Sequence, residues 1–465
     1  MTVPARRLNA AVPSPGDFTP DPLAAVPQSG REGLVAAVVA LGAMVVVAMW
    51  WQDTTAGSLR SLADELTAAG RLTGLIGTYL LLVEVLLLAR IPALDRLIGM
   101  DRLAVWHRRN GEYVVGLLVT HAVAIAAGYA LADHRSVLGE TGDVVLHYPD
   151  VLAATVALGV LVAVGVLSAR AVRSRLAYET WYFVHLYTYL AVVLAFAHQF
   201  ATGDDFATHP LHRAFWVALH AATAGLLITY RVVLPLRSTF RHQLRVAAVT
   251  REGPDAVSLT IIGRRMAELH ADAGQFFLWR FMTRHGWWQA HPFSLSALPN
   301  GERLRITVQA SGDHTRALDR VRVGTRVVAE GPYGAFTHRR RSRRKVLLVA
   351  GGIGVTPLRA LLESLPAGPG ELTFLYRATS RDHLVLHTEL EELARRRHAR
   401  LWYLLGPRDR RPDQLAPEIL AAQIPDLADH DAYVCGSPSF VDWASNSLRR
   451  AGVPRRHIHT ERFEI

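Results

Sequence analysis

Six apolar stretches fill the first half of this chain, at residues 34–51, 72–89, 111–131, 151–169, 178–200 and 215–233. Each is about long enough to cross a hydrocarbon core of ~30 Å as a helix. They predict a membrane α-helical bundle of six transmembrane helices. Trp50, Trp51, Trp181 and Trp216 lie near run ends, where amphipathic rings favour the membrane interface. Half of all residues are hydrophobic, which fits a chain that lives partly in lipid.

Loop charge gives the orientation. With the N-terminus inside, the tail and inner loops hold Arg6, Arg7, Arg31, Arg90, Arg96, Arg102, Arg108, Arg109, Arg170, Arg173 and Arg175. The outer loops hold Arg60, Arg71, Arg135 and Arg213. Eleven against four favours a cytoplasmic N-terminus, and an even number of crossings returns the chain to the cytoplasm. The formal charge of +11 comes almost wholly from arginine, since Lys345 is the only lysine, and it reads as basic cytoplasmic loops rather than a nucleic-acid surface. A single cysteine, Cys435, excludes an internal disulfide, a four-cysteine iron–sulfur cluster and a multi-cysteine zinc site. Residues 1–31 are rich in Pro, Ala and Ser and are expected to form a disordered tail. They do not read as a signal peptide, because the apolar run starts late and no small-residue cleavage site follows it.

The texture changes near residue 240. Alternating strands at 244–251, 256–262, 275–281, 303–309 and 326–330, separated by Gly/Pro turns, predict a small β-barrel. The basic run 339–345 reads as a linker. Strands at 346–350, 372–376, 401–405 and 432–435 then alternate with helices, which predicts an α/β domain with a parallel sheet and helices on both faces. The expected organisation is a tail (1–31), a six-helix transmembrane domain (32–236), a β-barrel domain (237–341) and an α/β domain (342–465).

Histidine is costly in hydrocarbon and needs a reason to be there. The third run carries His107 and His121, fourteen residues apart, and the fifth carries His185 and His198, thirteen apart. Each pair is therefore ~20 Å apart along its helix. With the topology above, His107 and His185 share the inner level and His121 and His198 the outer. Two level-matched pairs are what two stacked bis-histidine haems require. At ~100° per residue, fourteen residues return within ~40° of one face but thirteen miss by ~140°, so tilt, distortion or a different approach must absorb the mismatch. The alternative reading is four bundle histidines bonded to backbone. Glu84, in the second run, either faces the interior near a haem edge or proton path or is a buried neutral carboxyl. His134, His147, His209, His212 and His220 read as surface residues, with an outer metal-chelate site as a weaker option.

Motifs for a flavin and a nucleotide follow. In His291-Pro292-Phe293-Ser294, the small hydroxyl of Ser294 can hydrogen-bond a flavin's reactive nitrogen and the aromatic can pack on its ring or ribityl chain. In Gly312-Asp313-His314-Thr315, glycine admits a pyrophosphate and Thr315 opens an expected helix whose N–H groups favour anions. Gly331-Pro332-Tyr333-Gly334 makes a tight turn. Gly351, Gly352 and Gly354, followed by Thr356 and Pro357, suit a diphosphate at a strand–helix junction. Arg377, Ser380 and Arg381 after the next strand suit the 2′-phosphate of NADPH, the other reading being a solvated basic edge. Cys435 and Gly436 place a small polarisable group beside the nicotinamide, and the terminal Glu461-Arg462-Phe463 supplies an aromatic able to cover the flavin face. A turn is the plain alternative for each motif alone; their order and spacing together carry the reading.

Taken together, these residues resemble the ferric reductase and NADPH oxidase superfamily over about residues 34–465. The resemblance implies a membrane domain with two b-type haems and a ferredoxin–NADP reductase-like half. In that family the third and fifth helices carry the haem ligands at this fourteen/thirteen spacing, which implies ligand roles for His107, His121, His185 and His198. The family's flavin motif matches His291 to Ser294, and its GD-x-T motif matches Gly312, Asp313 and Thr315. Its GGxGxTP loop matches Gly351 to Pro357, its C-G-x-P motif Cys435 to Pro438, and its C-terminal E-x-F Glu461 and Phe463. Catalytic roles at Ser294, Cys435, Glu461 and Phe463 follow as expectations. Ile125 stands where eukaryotic NADPH oxidases have a further histidine beside their oxygen site, while Arg71 aligns with an oxygen-site arginine. No EF-hand loop or ferredoxin domain is read, and no calcium control is expected. The expected activity moves electrons from NADPH (or NADH) through FAD and two haems across the plasma membrane to a small-molecule acceptor, ferric chelate or O2. Reduction of a membrane quinone or periplasmic redox protein, and a transporter or sensor with a regulatory nucleotide domain, are the alternatives. Neither a protein partner nor an oligomeric state is assigned.

Overall fold

The computed structural model describes residues 28–54, 56–173, 175–176, 178–202, 209–284, 286–406 and 413–463. Up to residue 27 the expected tail lies outside the described residues. The apolar runs fold as α1 (Gln28–Asp53), α2 (Leu62–Leu87), α3 (Met100–Ala132), α4 (Val151–Ser168), α5 (Tyr178–Thr202) and α6 (Pro210–Ile228). Among the described residues six helices are long and apolar enough to cross a membrane. The sixth runs on through a π-helical turn, Thr229–Val233, into Leu234–His242, so it outlasts its apolar stretch.

Local chemistry sets the helix starts. Ser61 caps α2: its hydroxyl accepts from the Asp64 N–H, and Asp64 Oδ2 accepts from the Ser61 N–H at 3.0 Å. Pro210 opens α6, where a missing N–H costs nothing. Small residues then let α2 and α3 approach closely. A Cβ on Gly77 would lie 2.9 Å from Leu118 Cδ2, and one on Gly128 would lie 2.4 Å from Thr67 Oγ1. Leu81, Val114, Ala157, Leu161 and Ala191 bury together and tie α2, α3, α4 and α5 into one core. This helical unit comprises Glu32–Leu94 and Met100–Val232.

The second unit runs from Val233 onward and includes the short segment Asp95–Gly99. Its first strands are β1 (Arg245–Arg251), β2 (Ala256–Ile262), β3 (Phe276–Phe281), β4 (His291–Ser294), β5 (Arg303–Gln309) and β6 (Val327–Tyr333). They form two antiparallel three-stranded sheets, ordered β1-β2-β5 and β4-β3-β6. Single bridges, Arg245 to Arg326 and Leu295 to Ile306, link them. The expected barrel is thus resolved as two sheets over one core, in which Leu259, Ile261, Phe277, Trp279 and Ile306 are fully buried.

Five parallel strands follow: β7 (Lys345–Gly351), β8 (Leu372–Ala378), β9 (Arg400–Leu405), β10 (His430–Gly436) and β11 (Ile458–Arg462), in the order β11-β10-β7-β8-β9. The helices α7 (Val355–Ser364), α8 (His387–Arg396) and α9 (Pro438–Arg450) complete the layers. Val346, Leu348 and Ala350 of β7 join one apolar core, while Leu347 and Val349 join another, so both faces of the sheet are covered. β8 and β9 lie on one side of β7, and β10 and β11 on the other. That reversal marks a topological switch point outside the carboxyl ends of β7 and β10, where open α/β sheets form their ligand crevice. At the opposite ends, the buried Asp431 accepts the Ser342 N–H at 2.6 Å and faces His457 at 3.1 Å and His459 at 3.2 Å. Burial pushes its carboxyl up, but His459 and the surrounding donors outweigh this and hold it below the usual range.

Candidate functional site

The glycine loop sits on the crevice. β7 ends at Gly351, Gly352–Gly354 form one tight turn, and α7 begins at Val355. A Cβ on Gly354 would lie 2.2 Å from the Cys435 carbonyl oxygen, and one on Gly351 would lie 2.6 Å from Phe440. These two glycines therefore let the ends of β7 and β10 close up on α7 and α9. Gly352 differs: its φ is +56° and a Cβ there meets nothing within 4 Å, so it fronts open space. The Thr356 hydroxyl, expected to face a nucleotide, instead donates to the Ile353 carbonyl at 3.0 Å and is buried. Thr356 and the buried Pro357 thus fix the first turn of α7.

β10 brings Cys435, fully buried, and Gly436 to the same edge. β11 pairs Cys435 with Glu461 and Gly436 with Arg462. The Phe463 N–H then donates to the Gly436 carbonyl at 2.9 Å, and its side chain packs with Leu298 and Ile353 on the core that holds Cys435. The structure thus gathers Cys435, Gly436, Glu461 and Phe463 at one place. β11 itself was not legible in the sequence, because its His-Thr-Glu-Arg stretch has no apolar alternation.

The His-Pro-Phe-Ser stretch is itself a strand, β4. It pairs with β3 in the register Ser294–Phe276 to His291–Trp279. Ser294 is buried, and His291 stacks on Phe293 with ring centroids 6.1 Å apart. The Trp279 indole donates to the Phe293 carbonyl at 3.0 Å, which pins the strand. Thr315 does not open the short helix Asp313–Ala317. Its hydroxyl accepts from the Gly312 N–H at 2.9 Å and closes the turn that precedes that helix. The side chain of Asp313 lies outside the described residues.

The two arginines proposed for a 2′-phosphate part ways. Arg377 Nη1 donates to the carbonyls of Leu404 at 3.2 Å and Gly406 at 2.7 Å, so that nitrogen holds the ends of β8 and β9. Arg381 is exposed and lines a cleft of about 1180 Å³ with Arg251, His387, Glu389 and Arg395.

In the helical unit, the imidazoles of His107 and His185 meet with ring centroids 5.9 Å apart. On α5, His185 stacks on Trp181 at 5.1 Å, while His198 Nδ1 lies 2.7 Å from the Ala195 carbonyl. His121 Nδ1 lies 2.8 Å from the Gly70 carbonyl, and a Cβ on Gly74 would stand 2.6 Å from that ring. His107 Nδ1 lies 2.8 Å from Glu84 Oε1 and 3.3 Å from the Glu84 carbonyl. Elsewhere, Asp53 contacts His209 at 2.7 Å and His212 at 3.3 Å, and His212 is buried rather than at the surface. Among the described residues no group of three or more His, Cys, Asp or Glu side chains is arranged to hold a bare metal ion.

Three family matches follow this division of the chain. Residues 73–196 match "Ferric reductase like transmembrane component", residues 241–337 "FAD-binding domain" and residues 348–446 "Oxidoreductase NAD-binding domain". The chain belongs to the ferric reductase and NADPH oxidase superfamily. This superfamily member is a multi-pass membrane flavoprotein and an NAD(P)H-dependent oxidoreductase. It is 34% identical over 190 residues to ferredoxin–NADP reductase B of Sorangium cellulosum, covering 37% of this chain and 77% of that one. It is 31% identical over 232 residues to the ferredoxin reductase component of 3-ketosteroid-9-alpha-monooxygenase of Mycolicibacterium smegmatis, covering 48% of this chain and 65% of that one. A flavohemoprotein of Chromobacterium violaceum is 30% identical, and the chain spans half of its length (50%) and 40% of its own.

Proposed function

We propose that the protein carries electrons from NADPH through FAD and two b-type haems to a small acceptor, ferric chelate or O2, on the outer face of the plasma membrane. The observation that carries this reading is the 5.9 Å between the rings of His107 and His185. Imidazole nitrogen is a strong ligand for haem iron, and two imidazoles that meet this closely could hold one such group between them. His107 with His185 would hold one haem, and His121 with His198 the other. Two such ligands leave no open position, which suits electron transfer rather than oxygen binding at the metal. When bound, FAD accepts hydride and releases electrons singly, and each haem carries one electron.

The remaining residues bind and orient. Gly351, Gly352 and Gly354 admit a diphosphate to the crevice, and Cys435 and Gly436 give the nicotinamide a small-residue floor. Ser294 offers a hydroxyl to the flavin's reactive nitrogen, with Phe293 beside it. Gly312, Asp313 and Thr315 shape the turn for the FAD pyrophosphate. Phe463 covers the flavin face until nicotinamide displaces it, and Glu461 holds that segment on β10. The arginine asymmetry supports a cytoplasmic N-terminus and cytoplasmic nucleotide-handling domains.

A dithionite-reduced minus oxidised spectrum of the purified protein tests the relay: absence of a b-type haem band removes it. Turnover with an impermeant ferric chelate, O2 and a quinone, run side by side, assigns the acceptor. Arg381 is assigned the 2′-phosphate, because Arg377 is partly committed to carbonyls. Charge-assisted hydrogen bonds contribute about 1.5–3 kcal/mol, so Arg381→Ala should raise KM for NADPH about 10–100-fold and leave KM for NADH nearly unchanged. Equal losses with both nucleotides would return Arg381 to the solvated edge.

A further inference from the structure

Glu84 is held as though for a purpose. It lies near the end of α2, and three residues on one face of α3 make its seat. His107 Nδ1 approaches Oε1 at 2.8 Å. Asn110 Nδ2 donates to Oε2 at 2.7 Å and to the Leu80 carbonyl at 2.9 Å. At Gly111 an added Cβ would come 3.0 Å from Oε1, so glycine leaves room for the carboxyl. Positions i, i+3 and i+4 share a helix face, which is how one helix assembles this cradle. Both carboxyl oxygens of Glu84 thus lie within hydrogen-bond reach of side-chain nitrogens on α3.

The second histidine pair is partnered differently. His121 Nδ1 faces the Gly70 carbonyl at 2.8 Å and His198 Nδ1 the Ala195 carbonyl at 2.7 Å, both neutral dipoles. His185 Nδ1 is buried and has no hydrogen-bond partner among the described residues. Asp150, whose charge reaches His198, is solvent-exposed and therefore screened.

We infer that Glu84 is a positioning residue that lowers the reduction potential at the His107/His185 site below that at the His121/His198 site, so that an electron runs downhill from the first pair to the second. The inference rests on the haem reading above. A histidine that donates its second N–H to a carboxylate becomes a stronger electron donor to its metal. The nearby negative charge also favours the oxidised, more positive iron over the reduced one. A carbonyl supplies the orientation without the full charge. The transfer itself is one electron between two sites, with no bond made or broken, and the asymmetry gives it a direction.

The test is a redox titration of the purified, haem-loaded protein, followed by the visible spectrum. Wild type should titrate in two waves. Glu84→Gln keeps a hydrogen-bonding side chain of the same shape and removes the charge. It should raise the lower wave by at least tenfold in the electron's distribution between the sites, which is 59 mV for a one-electron couple. The upper wave should stay in place. A lower wave that does not move, or an upper wave that moves instead, overturns the inference. Asn110→Ala, which keeps Glu84 but loosens it, should shift the same wave in the same direction by less; should Glu84→Gln fail to load haem, an unmoved wave in Asn110→Ala overturns the inference in its place. A wild-type protein with no b-type haem spectrum would defeat the haem reading itself, an outcome distinct from two waves that ignore Glu84.

Discussion

His121→Ala should reduce its flavin with NADPH as fast as wild type, within about twofold, yet deliver almost nothing to an impermeant acceptor. His121 sits in the helical unit and the nucleotide crevice in the other, so the two half-reactions should respond independently. The imidazole is firmly placed: Nδ1 is 2.8 Å from the Gly70 carbonyl, and Gly74 leaves the space that the ring fills. Alanine would remove one of the two imidazoles proposed to hold the second haem. Even a ligand's supporting residues cost 10–100-fold in metal affinity or activity when lost, so removing the ligand itself should lower outward turnover by at least about 100-fold. Stopped-flow flavin bleaching and reduction of a membrane-impermeant ferric chelate separate the two steps. Gly74→Ala is the companion variant. Its methyl would stand 2.6 Å from His121 Nδ1, so it should impair the same step without touching the ligand. Full outward turnover in His121→Ala would sink the relay.

What the sequence made legible is the part of the fold that repeats a physical period. Six apolar runs of span length became six helices, and the alternation of β7 placed its residues on two cores. The histidine pairing was legible as well, since spacing combined with an even number of crossings puts His107 level with His185. What it hid were partners. Arg377, Thr315 and Thr356 look like ligand-binding groups because their donors are visible in the sequence. The sequence could not show that the Gly406 carbonyl, the Gly312 N–H and the Ile353 carbonyl also meet these side chains, in turns that only the fold creates. Glu84 could be placed in the second run, but the sequence could not show that Asn110 and His107 meet its two oxygens. His212 likewise read as a surface residue, because Asp53, its neighbour in space, is far away in sequence. Short strands escaped for a different reason. β4 and β11 carry no run or alternation of apolar residues to mark them, although one carries Ser294 and the other ends beside Phe463.

The glycine loop gives the second large effect, and it distinguishes a packing role from a binding role. In Gly354→Ala the new methyl would lie 2.2 Å from the Cys435 carbonyl oxygen and 2.8 Å from the Gly436 nitrogen, both of them backbone atoms that cannot swing aside. β7 and β10 would have to part at the crevice floor. Overpacking of this kind costs about 1–3 kcal/mol, and misplacing a reacting group by about 1 Å can cost 100-fold in rate. Flavin reduction by NADPH should therefore fall about 100-fold, and the thermal transition of the second unit should move down. Gly352→Ala meets nothing within 4 Å but keeps a φ of +56°, so its cost is the left-handed strain of roughly 1–2 kcal/mol. Its loss of NADPH-driven reduction should outrun its loss of stability, because the methyl projects into the space assigned to the diphosphate. In both variants a b-type spectrum raised by dithionite should be unaltered, since that chemistry depends on α3 and α5. A Gly354→Ala protein that melts and reduces its flavin like wild type would mean that the closeness of β7 and β10 does not set the crevice, and the diphosphate would have to be sought elsewhere on the sheet.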